Sequence, residues 1–106
     1  MTGNVVTGYL AVWRYQVRPE HRTEFERAYG PHGDWVALFE VGEGYVGSEL
    51  VRGSAIGEYV TIDRWASAEA YATFLERWGD DYAALDGQLQ YLTDDETLVT
   101  QGRLVE

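Results

Sequence analysis

The chain has 106 residues, a mass of 12.0 kDa and a formal net charge of −10, from 8 Lys+Arg against 18 Asp+Glu. That length holds a single domain over residues 1–106, and the charge argues against nucleic acid or anionic membrane as a partner. The lack of cysteine excludes disulfides, thiolate catalysis and cysteine-ligated metals.

The opening MTGNVVTGYL lacks the basic start and long apolar run of a signal peptide. No apolar stretch approaches the ~20 residues of a membrane span. A cytoplasmic location is expected. Aromatic residues make up 14% of the chain, enough to fill a small core and still line a pocket.

In chain order, YLAVWRYQV (9–17) is dense in aromatic and β-branched residues and predicts a strand that ends before Pro19. EHRTEFERAY (20–29) predicts a helix with Phe25, Ala28 and Tyr29 on one face. Gly30-Pro31 stops it, and Asp34 is placed to cap a second short helix over about 34–41, striped by Trp35, Leu38 and Phe39. GEGYVG turns into a strand at about 45–52, and GSAIG (53–57) links it to EYVTIDRW (58–65) as a hairpin.

Ser67 caps a helix over 68–78 with Tyr71, Phe74, Leu75 and Trp78 on one stripe. Gly79 is expected to break it, and Asp80 or Asp81 to cap another helix carrying Tyr82, Leu85, Leu89 and Leu92. TDDE (93–96) reads as a turn before a last strand over 97–105.

This order predicts an α+β fold: a ferredoxin-like split βαβ with a four-stranded antiparallel sheet and helices on one face. Both faces of the strands are partly apolar, with Leu10, Val12, Val60 and Ile62 opposite the aromatic set. Helices from so short a chain cover one face only. A second copy of the same sheet is the economical cover for the other, so a homodimer packed sheet to sheet into an α/β barrel is expected.

Three stretches carry a resemblance. Tyr29-Gly30-Pro31-x-Gly33-x-Trp35, Gly44-Tyr45-x-Gly47-x-Glu49-Leu50 and Thr61-Ile62-Asp63-x-Trp65-x-Ser67 together resemble the antibiotic biosynthesis monooxygenase family, over about residues 9–105. The resemblance implies the dimeric α/β-barrel fold. It also implies a monooxygenase that oxidises an aromatic, quinol or polyketide-like small molecule with molecular oxygen and no metal or flavin cofactor. A polyketide or terpenoid cyclase or isomerase, or a small-molecule-binding barrel without catalysis, would use the same pocket. Haem degradation is set aside, because that branch needs a histidine on the later helix and this chain has none after residue 32.

Three catalytic candidates follow. Trp65 stands where the family places a pocket tryptophan, whose indole N–H would donate to a substrate oxygen; the alternative is a core tryptophan. Asp63 shares its strand face, where desolvation would raise its pKa toward that of a general base; the alternative is a structural carboxylate at the sheet end. His32 is the only histidine in the motif and could accept a proton, or simply face solvent. Trp13, Tyr15, Tyr29, Trp35, Phe39, Tyr59, Tyr71 and Phe74 are candidate pocket walls, most of them expected to serve the core. No metal-ligand spacing is present.

Overall fold

The structure, a computed structural model, describes residues 8–105. Four strands, β1 (Tyr9–Val17), β2 (Tyr45–Arg52), β3 (Glu58–Trp65) and β4 (Thr93–Arg103), form one sheet in the order β2-β3-β1-β4. All neighbouring pairs are antiparallel. Three helices, α1 (Arg22–Tyr29), α2 (Asp34–Phe39) and α3 (Ala68–Leu89), supply the second layer. This is the ferredoxin-like arrangement that the element order predicts.

One parity rule sets the layers. Side chains alternate along a strand, and Ala11, Tyr15 and Val17 of β1 and Tyr59, Thr61 and Trp65 of β3 are all buried. They pack with Phe25, Ala28 and Tyr29 of α1, Trp35 and Phe39 of α2, and Phe74 and Leu89 of α3. The odd-numbered face of β1 and β3 is therefore the helix face. The molecule is 21 Å through its thinnest axis, the depth of one sheet and one helical layer at ~10 Å spacing. Among the described residues, none forms a layer on the opposite sheet face.

The corner between α1 and α2 is tighter than a cap. Asp34 is the first helical residue, not the cap; Gly33 holds that position and no side chain bonds there. Asp34 lies instead 3.8 Å from an Arg27 nitrogen. Gly33 N–H donates to the Gly30 carbonyl at 3.0 Å. A Cβ on Gly33 would sit 2.3 Å from the Arg27 carbonyl oxygen and 2.4 Å from that of Ala28; one on Gly30 would sit 2.5 Å from that of Glu26. Both glycines are needed because backbone approaches backbone. The corner brings Tyr29 and Trp35 to a ring-centroid distance of 6.0 Å.

One sequence expectation is met and one corrected in the second half. The expected break falls one residue early: the helical run from Ala68 to Leu89 is interrupted at Trp78, whose backbone is non-helical (φ −118°, ψ 18°), so α3 is two helical segments joined by a kink beside Gly79. Glycine weakens a helix by about 1 kcal/mol, which favours a kink here, and the second segment packs Tyr82, Leu85 and Leu89 against the core. Ser67 does cap the start, its hydroxyl accepting from Ala70 N–H at 3.0 Å.

TDDE is not a turn. A short 3₁₀ turn over Gln90–Leu92 precedes it, and Thr93 already pairs with Val17. Tertiary pairing with β1 overrides the poor strand preference of the acidic run. Arg18 neutralises part of it through Asp94 at 2.6 Å. Carboxylates suit this edge strand, since they discourage pairing with another chain.

The glycine corner yields a test. Gly33→Ala should lower unfolding free energy by about 2–4 kcal/mol, as expected where a side chain is forced against backbone. A urea midpoint equal to that of the unsubstituted protein would contradict the close approach.

Candidate active site

The helix face of the sheet contains a narrow cleft roofed by α2 and α3. Trp13 and Tyr15 of β1, Ser48 of β2, Thr61 and Asp63 of β3, and Glu96 of β4 form its floor; Tyr29, Trp35, Val36, Phe39 and Tyr82 form its roof and walls. The cleft exists because of one row of the sheet. Asp63 is flanked across the ladder by Ala11 on β1 and Ser48 on β2, both small. The next row, Trp13–Thr61–Leu50, is larger. Glu96 lies opposite Tyr15 and is itself exposed, so it marks where the cleft meets solvent. The cavity is about 20 Å³, room for about one water molecule. A ring-sized ligand enters only when wall side chains swing aside.

Asp63 is the half-buried carboxylate of this cleft. Desolvation raises its pKa to about 6, against a smaller opposing pull from the Ser48 hydrogen bond. Ser48 Oγ–H donates to Asp63 Oδ1 at 2.7 Å, and among the described residues no other hydrogen bond reaches the carboxylate. Asp63 therefore titrates near neutral pH with an oxygen left over, as a general base requires.

Glu96 is shifted up as well, first by burial and then by the charges of Asp86 and Asp95. The phenols go the other way in function. Burial pushes Tyr29 up to about 12 and raises Tyr15 and Tyr82 further, so they stay neutral. Tyr15 and Thr61 share a hydrogen bond at 3.0 Å.

Two buried indole N–H groups, those of Trp35 and Trp65, make no well-aligned hydrogen bond among the described residues, although Trp35 lies close enough to the Tyr29 hydroxyl to oppose the burial that raises that phenol. An orphaned buried donor costs about 1–3 kcal/mol, so each asks for an explanation. Trp35 is 7% exposed and lines the cleft, where a ligand oxygen could satisfy it. Trp65 is 1% exposed and does not line the cleft. Its ring is enclosed by Phe39, Tyr45, Tyr71 and Phe74 at centroid distances of 5.0–5.9 Å. It is the core tryptophan of the two alternatives, one ring behind the cleft wall.

The sequence candidates divide accordingly. Asp63, Trp13, Tyr15, Tyr29, Trp35 and Phe39 meet at the cleft. His32 is exposed on the α1–α2 corner and lines no part of it. Tyr59 is buried at the far end of β3, donating its hydroxyl to Glu26, which also takes Arg52 at 2.8 Å. Tyr71 stacks on Tyr9, and Phe74 packs on Trp65 and Phe39.

Sequence reasoning did not select Ser48, Thr61, Val36, Tyr82 or Glu96. Thr61 was readable from strand parity with Asp63 and Tyr82 from its helix stripe. Ser48 needed the β2–β3 register, and Glu96 was hidden by reading its segment as a turn. The cleft lining contains no Lys, Arg or His, and among the described residues no group of three or more His, Asp or Glu is placed to hold a metal ion.

The sequence profile described as antibiotic biosynthesis monooxygenase matches residues 8–84. No curated protein sequence matches the chain. Among solved structures, SnoaB of Streptomyces nogalater, described as a cofactor-independent oxygenase, is 23% identical with a TM-score of 0.62, covering 93% of this chain and 96% of its own. A candidate antibiotic biosynthesis monooxygenase of Caulobacter crescentus CB15 is 21% identical with a TM-score of 0.75, over 94% and 92%. A conserved protein of Methanosarcina mazei Go1 is 15% identical at 0.70, over 94% and 95%. At these identities the likeness is one of fold.

Asp63 also leaves a mark on stability. Its folded pKa lies above the ordinary carboxylate value of 3.8. The native state therefore binds the extra proton, a contribution fully present below pH ~4 and lost as pH rises through about 6. Asp63→Asn should stabilise the fold at pH 7.5 by on the order of 1–2 kcal/mol once partial exposure is allowed for, and the gain should fade as pH drops from 6 to 4. Urea unfolding of both proteins across that range reads it; a gain that does not change with pH would contradict the shift.

Proposed function

Because the chain belongs to the antibiotic biosynthesis monooxygenase family, we propose that it oxidises a flat aromatic, quinol or polyketide-like small molecule with molecular oxygen, without a metal or organic cofactor. The observation that carries this reading is the pairing of Asp63, a carboxylate tuned near neutrality, with an aromatic-walled cleft lined also by Trp35, whose N–H makes no well-aligned hydrogen bond. The description of SnoaB as a cofactor-independent oxygenase supports it by analogy of fold.

The chemistry asks little of the protein. For an anthrone-like substrate, the Asp63 carboxylate removes a proton from the ring CH₂, leaving an electron-rich carbanion-enolate. Trp35 N–H donates to the enolate oxygen and stabilises the developing charge in a dry site. The anion passes one electron to O₂, and the radical and superoxide combine to form the C–O bond. Protonated Asp63 returns its proton to the resulting peroxide. Loss of water across the C–H and O–O bonds then gives the ketone. In sum, CH₂ plus O₂ becomes C=O plus H₂O, with Asp63 regenerated.

Trp13, Tyr15, Tyr29 and Phe39 stack on the substrate rings, and Trp65 holds Phe39 from behind. With two carboxylates and no cation in the lining, the cleft favours a neutral substrate over an acidic one.

Oxygen uptake with anthrone as probe tests this reading. Asp63→Asn should lower kcat by on the order of 10²–10⁴-fold, and Trp35→Phe, which keeps the ring and drops the donor, by on the order of 10²-fold. Turnover that continues unchanged under argon would instead favour a cyclase or isomerase. No uptake across a wider panel of quinols and phenols would count against the oxygenase.

The same reading includes a homodimer. Leu10, Val12, Val60 and Ile62 lie on the sheet face away from the helices; Val12 pairs with Ile62 and Val51, 44% exposed, with Val60, while Leu10 faces Arg64 and Val60 faces Arg14 across the β1–β3 ladder. A second copy of this face covers it. Light scattering should give twice 12.0 kDa at micromolar concentration; a monomer that persists at high concentration would overturn it.

A further inference from the structure

We propose that Tyr45 and Ser48 are positioning residues for the base, forming with Asp63 a hydroxyl triad that aims the carboxylate and keeps it ionised. This rests on the reading of Asp63 as the general base and extends it to two residues outside the family reading of the site.

The geometry is specific. Ser48 has one hydroxyl proton, and it is committed to Asp63 Oδ1 at 2.7 Å. The 2.6 Å contact between Tyr45 Oη and Ser48 Oγ must then have Tyr45 donating, since Ser48 has only lone pairs left to offer. The chain thus runs in one direction, from Tyr45 to Ser48 to Asp63. Each bond polarises the next, and the Ser48 rotor is fixed with its proton on the carboxylate. One Asp63 oxygen is tied to the strand and the other left to the cleft.

The backbone is arranged to make this possible. In a regular strand, residues 45 and 48 would point to opposite faces. In β2, Tyr45 pairs with Trp65 but Gly47, not Val46, pairs with Arg64. The extra residue forms a bulge that returns Tyr45 to the face of Ser48. Re-aiming a side chain beside a site is what bulges commonly do. Tyr45 is held there by its ring contacts with Phe39 and Trp65. It borders an open groove with Glu40 and Val46, not the cleft itself, so it acts through Ser48 and does not touch substrate.

The effect on charge follows. Burial drives Asp63 toward its neutral form, and the Ser48 bond opposes it. The titratable groups around Asp63 give no comparable help. Tyr15 of β1, Tyr45 of β2, and Tyr71 and Tyr82 of α3 are phenols whose own ionisation is suppressed, and Glu96 of β4 is a second carboxylate. Glu40, just past the end of α2, acts on Tyr45 in the same sense. The triad is thus the local device that favours ionised Asp63.

The test needs no ligand at its first stage. The Asp63 carboxyl carbon is followed by ¹³C NMR titration in folded wild-type, Ser48→Ala, Ser48→Thr and Tyr45→Phe proteins. Ser48→Ala should move the midpoint up by roughly one pH unit, and Ser48→Thr should restore it. Tyr45→Phe, which never touches Asp63, should move it up by a smaller amount. A Tyr45→Phe midpoint equal to wild type, or a Ser48→Thr midpoint equal to Ser48→Ala, overturns the triad.

With anthrone and an oxygen electrode, the acidic limb of kcat/KM should shift by the same amounts while KM stays within about twofold. Full activity in Asp63→Asn would overturn the base reading alone and leave the titration result standing. An inactive Asp63→Asn beside an unshifted Ser48→Ala profile would overturn the triad alone.

Discussion

A single carboxylate on the covered face of the sheet is the constraint to which the rest of this site answers. Asp63 stands where strand parity demands an apolar side chain, between buried Thr61 and Trp65. Burying an unpaired charge is costly, and the structure does not offset it with an arginine or lysine. It offers one hydroxyl, from Ser48, and an incomplete roof. The small neighbours Ala11 and Ser48 keep the carboxylate from being packed shut. The result is a group left close to its point of ionisation, where small changes in surroundings decide its charge.

The aromatic residues make that position sustainable. Trp35, Phe39, Trp65 and Phe74 form a continuous run of ring contacts at 5.0–5.9 Å, holding α2 and α3 on the sheet. Tyr15, Phe25, Tyr29 and Tyr59 form another under α1. The cleft lies between the two groups. The two tryptophans whose N–H groups make no well-aligned hydrogen bond differ by one layer: Trp35 faces the gap and Trp65 supports its wall.

Likeness to solved structures at 15–23% identity is a likeness of fold. It does not carry a substrate with it. The cleft of this chain has a floor of Asp63, Ser48 and Thr61 under aromatic walls, with an acidic mouth at Glu96. That mouth is built by an edge strand that starts at Thr93, within the acidic run, and the roof near it by α3 beyond its kink at Trp78. Both features depend on packing between segments distant in the chain.

The sequence by itself determined the fold class, the span of β1, β2 and β3, the Ser67 cap and the side of the sheet shared by Asp63 with the aromatic residues. These follow from local rules: alternation, helical stripes, glycine and proline punctuation. It also pointed to Asp63, Tyr15, Tyr29 and Trp35 as neighbours in one region. Only the tertiary structure decided which tryptophan reaches the cleft, because strand parity is blind to which helix lies overhead. It also turned an acidic run into strand, because ladder hydrogen bonds outweigh a run of aspartates. Ser48 and Tyr45 came to Asp63 through a register and a bulge, and those are settled between strands, not within one.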